Sequence, residues 1–442
     1  MYVVEKFAAW AEEYQNAAIA PEVMHHAKRA VIDLYAAMLP GAVVAPATLL
    51  EVALKEELDI GTAKLALGRR ATVRAAALIN GTAAHTLELD DIFRDGIYHP
   101  GAPTIPAALA LAQAHGASGE QFLRAVIIGY EISTRIGAAM GRAHYKYWHN
   151  TGTIGVFGAC AAACSLLGLD RKRFAHALAT VTTFSAGLQQ SFRMDSMSKP
   201  LHAGRAAEAG ITAALAAHEG VIGSLDVIDG DAGYGVAMSD RPDWNKAVDG
   251  LGKQFNICRM TFKNHTCCGH TFAAIDGALA LQQQMKLAAR EIERIRVGSY
   301  RAAKEVSGYD SPQTAAEARF SLKYVVATAL THGSVRLAAF EPGRMNDAAT
   351  RDLMARIEVI IDPELDAAFP KQRAAHVAFV ARDGRQGEHL QPTRVGDPDA
   401  PLSDAQLDGK YLEFAVPVLG EDRARKLLAR LWKLEQSKEI AA

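Results

Sequence analysis

Cysteine is scarce in this chain, with five residues in 442. So few thiols in so long a chain make no disulfide framework, and a reducing cytoplasm is the expected compartment. Basic blocks are missing too. The formal net charge is −1 and the pI near 7.0, so nucleic acid and anionic membrane are not expected partners. No run of about 18 uncharged apolar residues occurs, and no membrane span is expected. The opening MYVVEKFAAWAEEYQ is an amphipathic helix containing acids, and reads as neither a signal peptide nor an Arg-rich transit peptide. Also lacking are GxGxxG at a strand–helix junction, a P-loop, GxSxG and HExxH. These absences argue against dinucleotide, nucleoside triphosphate, serine-hydrolase and zinc-peptidase chemistry.

What the chain has is alanine. Half of its residues are apolar, a composition suited to close-packed helices. Residues 1–60 show the 3.6 period of helices, Ala63 to Leu78 carries a short GRRAT turn and then an apolar helix, and Thr104 to His115 and the segment after Ser118 are helical. There Ser118 and Gln121 are spaced as a capping box. From about Phe255 the character changes. Ile292–Ser299, Arg356–Ile361 and His376–Ala381 alternate as strands, with the helix SLKYVVATALTHG between them. Gln386 to Pro401 is a polar stretch, after which helices return. The expected fold is mainly α. A large all-helical domain is built from both chain ends (residues 1–254 and 400–442), with a smaller α+β domain at 255–399.

Three stretches carry chemistry. NGTAAHTLELDDIFRDGIYHPGAP crowds Glu88, Asp90 and Asp91 on one short segment and then presents His99 on a Pro–Gly loop. The same residues also fit an acidic helix end followed by a surface loop. GRAHYKYWHNTGTIGVFGACAAAC places Tyr145 and His149 ahead of small residues that allow close helix packing or close approach of an anion. In SMSKPLHAGRAA, Lys199 precedes Pro200, so its backbone is expected to be extended, with a helix from His202. It reads as either a solvated charge or a site lysine. A fourth stretch, FKNHTCCGH, tempts a metal reading. Adjacent cysteines fit zinc or iron–sulfur spacing poorly. The better reading has Lys263, His265 and His270 meeting a ligand over two small hydrophobic cysteines. This inventory suits proton transfer next to a carboxylate, with cations holding the substrate's own carboxylates.

NGTAAHTLELDD…HPGAP, HNTGTIGVFGACAAACSLLGL, SKPLHAGRAAEAG, CCGHTFAAIDGAL and FSLKYVVATALTHG, in that order over residues 80 to 333, resemble the MmgE/PrpD family. The resemblance implies a helical domain with an α+β lid, a homodimer, and a site that needs no metal or organic cofactor. The family includes 2-methylcitrate dehydratase, cis-aconitate decarboxylase and iminodisuccinate epimerase. Carried over by motif, His149, Lys199, Tyr145, His99 and Asp91 are the implied catalytic residues. Asp90, Glu88, Lys263, His270 and Tyr324 are the implied substrate-binding residues. Two departures stand out. LELDD replaces the more usual DFDD, which puts Glu88 in place of an aspartate. KNHTCCGH replaces a longer Lys–Tyr–Pro type segment. The expected substrate is a di- or tricarboxylic acid. The expected reaction is loss of water, with decarboxylation and epimerisation as alternatives, and a carboxylate-binding scaffold as the non-enzyme reading. A lysine near other cations would have a lowered pKa and could itself be the base.

Overall fold

The computed structural model describes all residues except Arg193, Asp195, Pro370, Ala441 and Ala442. The chain is mainly helical and divides into two compact units, Met1–Phe262 with Ser403–Ala442, and Lys263–Leu402.

In the first unit the alanine- and glycine-rich segments become helices buried on nearly every side: Val73–Thr86, Gly101–His115, Gly155–Leu166 and Ser198–His218. Their small residues set the spacing. A Cβ on Gly204 would lie 2.1 Å from the Leu78 carbonyl oxygen, and one on Gly158 would lie 2.4 Å from Thr104 Oγ1. The long helix Gly119–Tyr145 opens with the capping box of Ser118 and Gln121. Helix Asp404–Leu419, one of two near the C-terminus, packs on Pro21–Gly41. There buried Lys410 donates to Asp33 Oδ1 at 2.6 Å and to the Leu89 carbonyl at 2.8 Å. No helix among the described residues is long and apolar enough to cross a membrane.

This unit is not all helix, which corrects the expectation for the large domain. β1 (Leu58–Lys64) pairs antiparallel with β2 (Arg70–Ala71). Gly61, at φ 74°, interrupts the alternation that would have marked β1 as a strand. The Asn80 side chain holds the connecting turn by donating to Lys64 O and accepting from Ala66 N, each at 2.9 Å. A second correction concerns Lys199. It is helical, in the first turn of Ser198–His218, and the proline after it is tolerated because first-turn N–H groups have no intrahelical partner.

The second unit is a four-stranded sheet of order β4-β3-β5-β6. Its strands are β3 (Ile292–Ser299), β4 (Ile357–Ile361), β5 (Ala375–Ala381) and β6 (Gln386–Gln391). β3 pairs parallel with β4, and the other two pairings are antiparallel. Helices Phe272–Met285 and Leu322–His332 share its apolar core with β3 and β5. β6 falls where the sequence reads only as polar. It is an edge strand with no fully buried position, so no apolar face marks it.

Candidate active site

Helix Val73–Thr86 ends on Leu87, and Glu88 then takes a left-handed conformation, φ 58°. That turn is unfavourable for a residue with a Cβ. It brings Glu88 into an ion pair with Lys199 at the start of helix Ser198–His218. Ile97, also left-handed at φ 50°, closes a tight reversal in which Phe93 and Tyr98 pair, and His99 follows. The reversal is pinned from the stretch that holds His149. Asn150 Nδ2 donates to Gly96 O at 2.8 Å, and His99 N donates to Thr151 Oγ1 at 3.3 Å. His149 caps the short turn Asn150–Thr153. Three sequence-distant motifs thus meet inside the first unit.

At the meeting point four imidazoles and one carboxylate form a continuous array. Asp90 Oδ2 lies 2.7 Å from His85 Nδ1 and 3.3 Å from His99 Nδ1. The His85 ring stacks on His149 at 5.3 Å between centroids. His149 Nδ1 lies 2.9 Å from His202 Nδ1. Phe192 meets the His149 ring edge-on at 4.8 Å and carries the Lys199 ammonium over its face, also at 4.8 Å. His85 Nε2 and Asp90 Oδ1 are buried and have no hydrogen-bond partner among the described residues.

Electrostatics assigns protonation states. Burial works against the Asp90 charge, but His85 and His99 outweigh it and hold its pKa well below the usual carboxylate range. Burial, aided by the charges of His85 and Lys199, drives His149 well below the ordinary imidazole value, so it is neutral at pH 7. Burial also pulls on Lys199, yet Glu88 more than offsets it and the pKa is raised. Lys199 is therefore held as an ammonium. This corrects the expectation of a lowered pKa and of a lysine base; the carboxylate one residue after Leu87 decides the sign.

Asp91 is buried, accepting from Gly101 N at 3.0 Å and from the Tyr130 hydroxyl at 2.8 Å. Burial first, and then the charge of Asp33, push its pKa up to about 8, so it carries its proton at neutral pH. Asp91 thereby fixes the Pro100–Gly101 helix start behind His99. Tyr145 is half-buried near Lys199. Lys263, His270 and Tyr324 belong to the second unit. Lys263 is buried there. His270 Nδ1 contacts the Tyr300 hydroxyl at 2.9 Å, and burial lowers its pKa to about 3. The Tyr324 hydroxyl donates to the Ala339 carbonyl within the core. His265 contacts Asp276 at 2.9 Å, and burial pushes the Cys267 thiol up to about 12.

His85, Asp90 and His99 bring three ligand-type atoms within 4.8 Å of one another, as do Glu22, His26 and Cys258. In the first trio the His85–Asp90 separation of 2.7 Å is a hydrogen bond. Two ligands of a tetrahedral ion would stand about 3.3 Å apart. The His85–Asp90 pair therefore reads as a hydrogen bond, with His99 Nδ1 3.3 Å from the same carboxylate oxygen. The sequence reading missed the roles of His85, His202, Phe192 and Lys410. His202 lies three residues past Lys199 on the same helix face, a signal present in the KPLH spacing. Lys410 left none, since a single lysine in a helix has no local mark of burial.

Comparison with known proteins identifies the family. The MmgE/PrpD N-terminal domain model matches residues 5–247 and the MmgE/PrpD C-terminal domain model matches residues 265–435. The chain is 25% identical over 464 residues to a cis-aconitate decarboxylase-like protein, oryM, of Aspergillus oryzae, covering 99% of this chain and 96% of that one. It is 26% identical to the cis-aconitate decarboxylases of Mus musculus and Homo sapiens, over 83% of this chain and 76% and 77% of theirs. With both domain models matched in order along one chain, this protein belongs to the MmgE/PrpD family.

Proposed function

We propose that this protein is a lyase acting on a di- or tricarboxylic acid, moving a proton on the carbon beside a carboxylate. The carrying observation is the convergence, in one unit, of the Lys199 ammonium with the neutral imidazole of His149 and the Asp90-bound imidazole of His99. Lys199 holds a substrate carboxylate, and Glu88 keeps it charged. A neutral His149 can take a proton, and because its pKa is depressed its conjugate acid gives the proton back readily. Asp90 orients His85 and His99.

Of the possible reactions we take loss of carbon dioxide first, because the similar proteins named above are decarboxylases or decarboxylase-like. The electron pair of the C–CO2 bond passes to the carbon, which accepts a proton from the imidazole side while carbon dioxide leaves. Loss of water, the reaction favoured by the motif resemblance, uses the same groups. His149 takes the carbon-bound proton, the electron pair forms the alkene, and hydroxide leaves with a proton from His99. Both pass through an enolate-like state that a nearby ammonium stabilises.

The test is a panel of di- and tricarboxylates, cis-aconitate included, followed by proton NMR in deuterium oxide. Released carbon dioxide supports the first reaction, and new ultraviolet absorbance from a conjugated alkene supports the second. Deuterium incorporation without net product indicates an epimerase. Tight binding of an acid with no exchange at all would replace the lyase by a carboxylate-binding scaffold.

A further inference from the structure

His149 is almost fully buried, 3% exposed, and its Nδ1 is directed to His202. His202 has a different setting. It is only partly buried and lines a cleft of about 550 Å³, together with Gly152, Gly187, Gln190, Ser191 and the exposed Arg205. The contact is also built rather than incidental. Gly187 accepts from His149 N at 2.9 Å through its carbonyl. A Cβ on Gly187 would stand 3.1 Å from His202 Nδ1, and one on Gly152 would stand 3.0 Å from the His202 Cβ. Gly187 further adopts φ 133°, which side-chain-bearing residues avoid. Two glycines therefore leave room for one ring and hold the other in line with it.

We propose that His202 is the proton port of His149, connecting the buried imidazole to solvent in the cleft. It is a relay and positioning residue and does not touch substrate. The proposal rests on the reading of His149 as proton carrier. Two nitrogens at 2.9 Å must be one donor and one acceptor, so one bridging proton links the rings whichever tautomer each holds. Decarboxylation consumes one solvent proton per turnover, and the array supplies the route. Water in the cleft protonates His202 Nε2. The His202 Nδ1 proton passes to His149 Nδ1, and the His149 Nε2 proton goes to the substrate carbon. The tautomers reset through water once product has left. The groups facing the pair are His85, His99, Lys199 with Glu88, and Arg205 with Glu208. Burial and the nearby cations keep both rings neutral at rest, His202 near a pKa of about 4.

The experiment compares the wild-type full chain with His202→Phe and His202→Asn, using nitrogen-15 histidine labelling, with His149→Gln to assign the His149 signals. Asn keeps a hydrogen bond to His149 but cannot pass a proton through. Exchange of the His149 ring proton with water should slow at least about tenfold in both variants, and kcat on the acid turned over above should fall about 10²-fold with KM little changed. Added imidazole should restore kcat in His202→Asn. Unchanged ring-proton exchange in a folded His202→Asn protein overturns the port, and that measurement needs no substrate. Failure of the proton-carrier reading would look different: His149→Gln would retain wild-type turnover.

Discussion

Lys410 offers the most demanding test of how the site is held. Its ammonium is fully buried, 1% exposed, and donates to Asp33 Oδ1 and to the carbonyl of Leu89, the residue between Glu88 and Asp90. Lys410→Met keeps most of the volume and removes the charge and both donors. Breaking a buried pair from one side costs about 3–5 kcal/mol, because the remaining carboxylate loses its compensating charge. The Asp33 charge already raises the Asp91 pKa, so the loss falls on a crowded acidic group. Urea unfolding should therefore show Lys410→Met less stable by about 3 kcal/mol or more, with an unchanged m value. Asp33→Asn in the Lys410→Met background should recover at least about 1 kcal/mol, the signature of coupled neighbours. Turnover should fall as well, since Leu89 is displaced between two site carboxylates. A Lys410→Met loss below about 1 kcal/mol, or strictly additive double-mutant energies, would refute the reasoning.

Asp91→Asn keeps an acceptor for Gly101 N and should be tolerated at pH 7, whereas Asp91→Ala orphans Gly101 N and the Tyr130 hydroxyl and should cost about 2–4 kcal/mol in chemical denaturation. Equal losses in both would show that Asp91 acts through its charge. Glu88→Gln removes the carboxylate that raises the Lys199 pKa, so burial should lower it. Amine labelling of Lys199 against pH should move its midpoint down and kcat should fall about 10²-fold; an unmoved midpoint would contradict the pairing. His144 is fully buried and burial lowers its pKa to about 4, while the unfolded residue titrates near 6.5. The unfolded state therefore binds the extra proton between those values, and stability falls as pH drops from about 6.5 toward 4. Relative to His144→Gln, the wild type should lose about 2 kcal/mol between pH 6.5 and 5. Parallel curves would mean that His144 is protonated in the fold. Ile97→Gly relieves a left-handed strain of about 1–2 kcal/mol while losing a half-buried side chain, so thermal melts should move little; a large drop would locate the function of Ile97 in its side chain.

Much of this was legible in the sequence because it is local. The capping box of Ser118 and Gln121, the strands Ile292–Ser299 and Ile357–Ile361, and the helix opening after Thr271 all follow from spacing and composition within a dozen residues. The motif residues Glu88, His99, His149 and Lys199 could be singled out, and the structure brings them together in one unit. What could not be read is relational. Nothing near Lys410 marks it as the partner of Asp33, which lies 377 positions earlier. The sign of the Lys199 shift depends on Glu88, 111 positions away, through a backbone conformation that glutamate rarely adopts. β6 and the pair β1 and β2 escaped because edge strands and glycine-broken strands carry no clean alternation.

The glycine contacts bear on how such a protein can change over generations. Where Gly204 lies against Leu78, and Gly158 against Thr104 and Ser133, even a methyl group has no room. Those positions are closed to gradual substitution, and the helix spacing beneath the imidazoles is frozen with them. New substrate preferences must therefore arise elsewhere, on side chains free to vary in size. Phe184, Leu188 and Met197 are large, apolar and substantially solvent-facing, and precede Lys199 closely in the sequence. Diversity among descendants should accumulate on that rim while the scaffold below stays invariant.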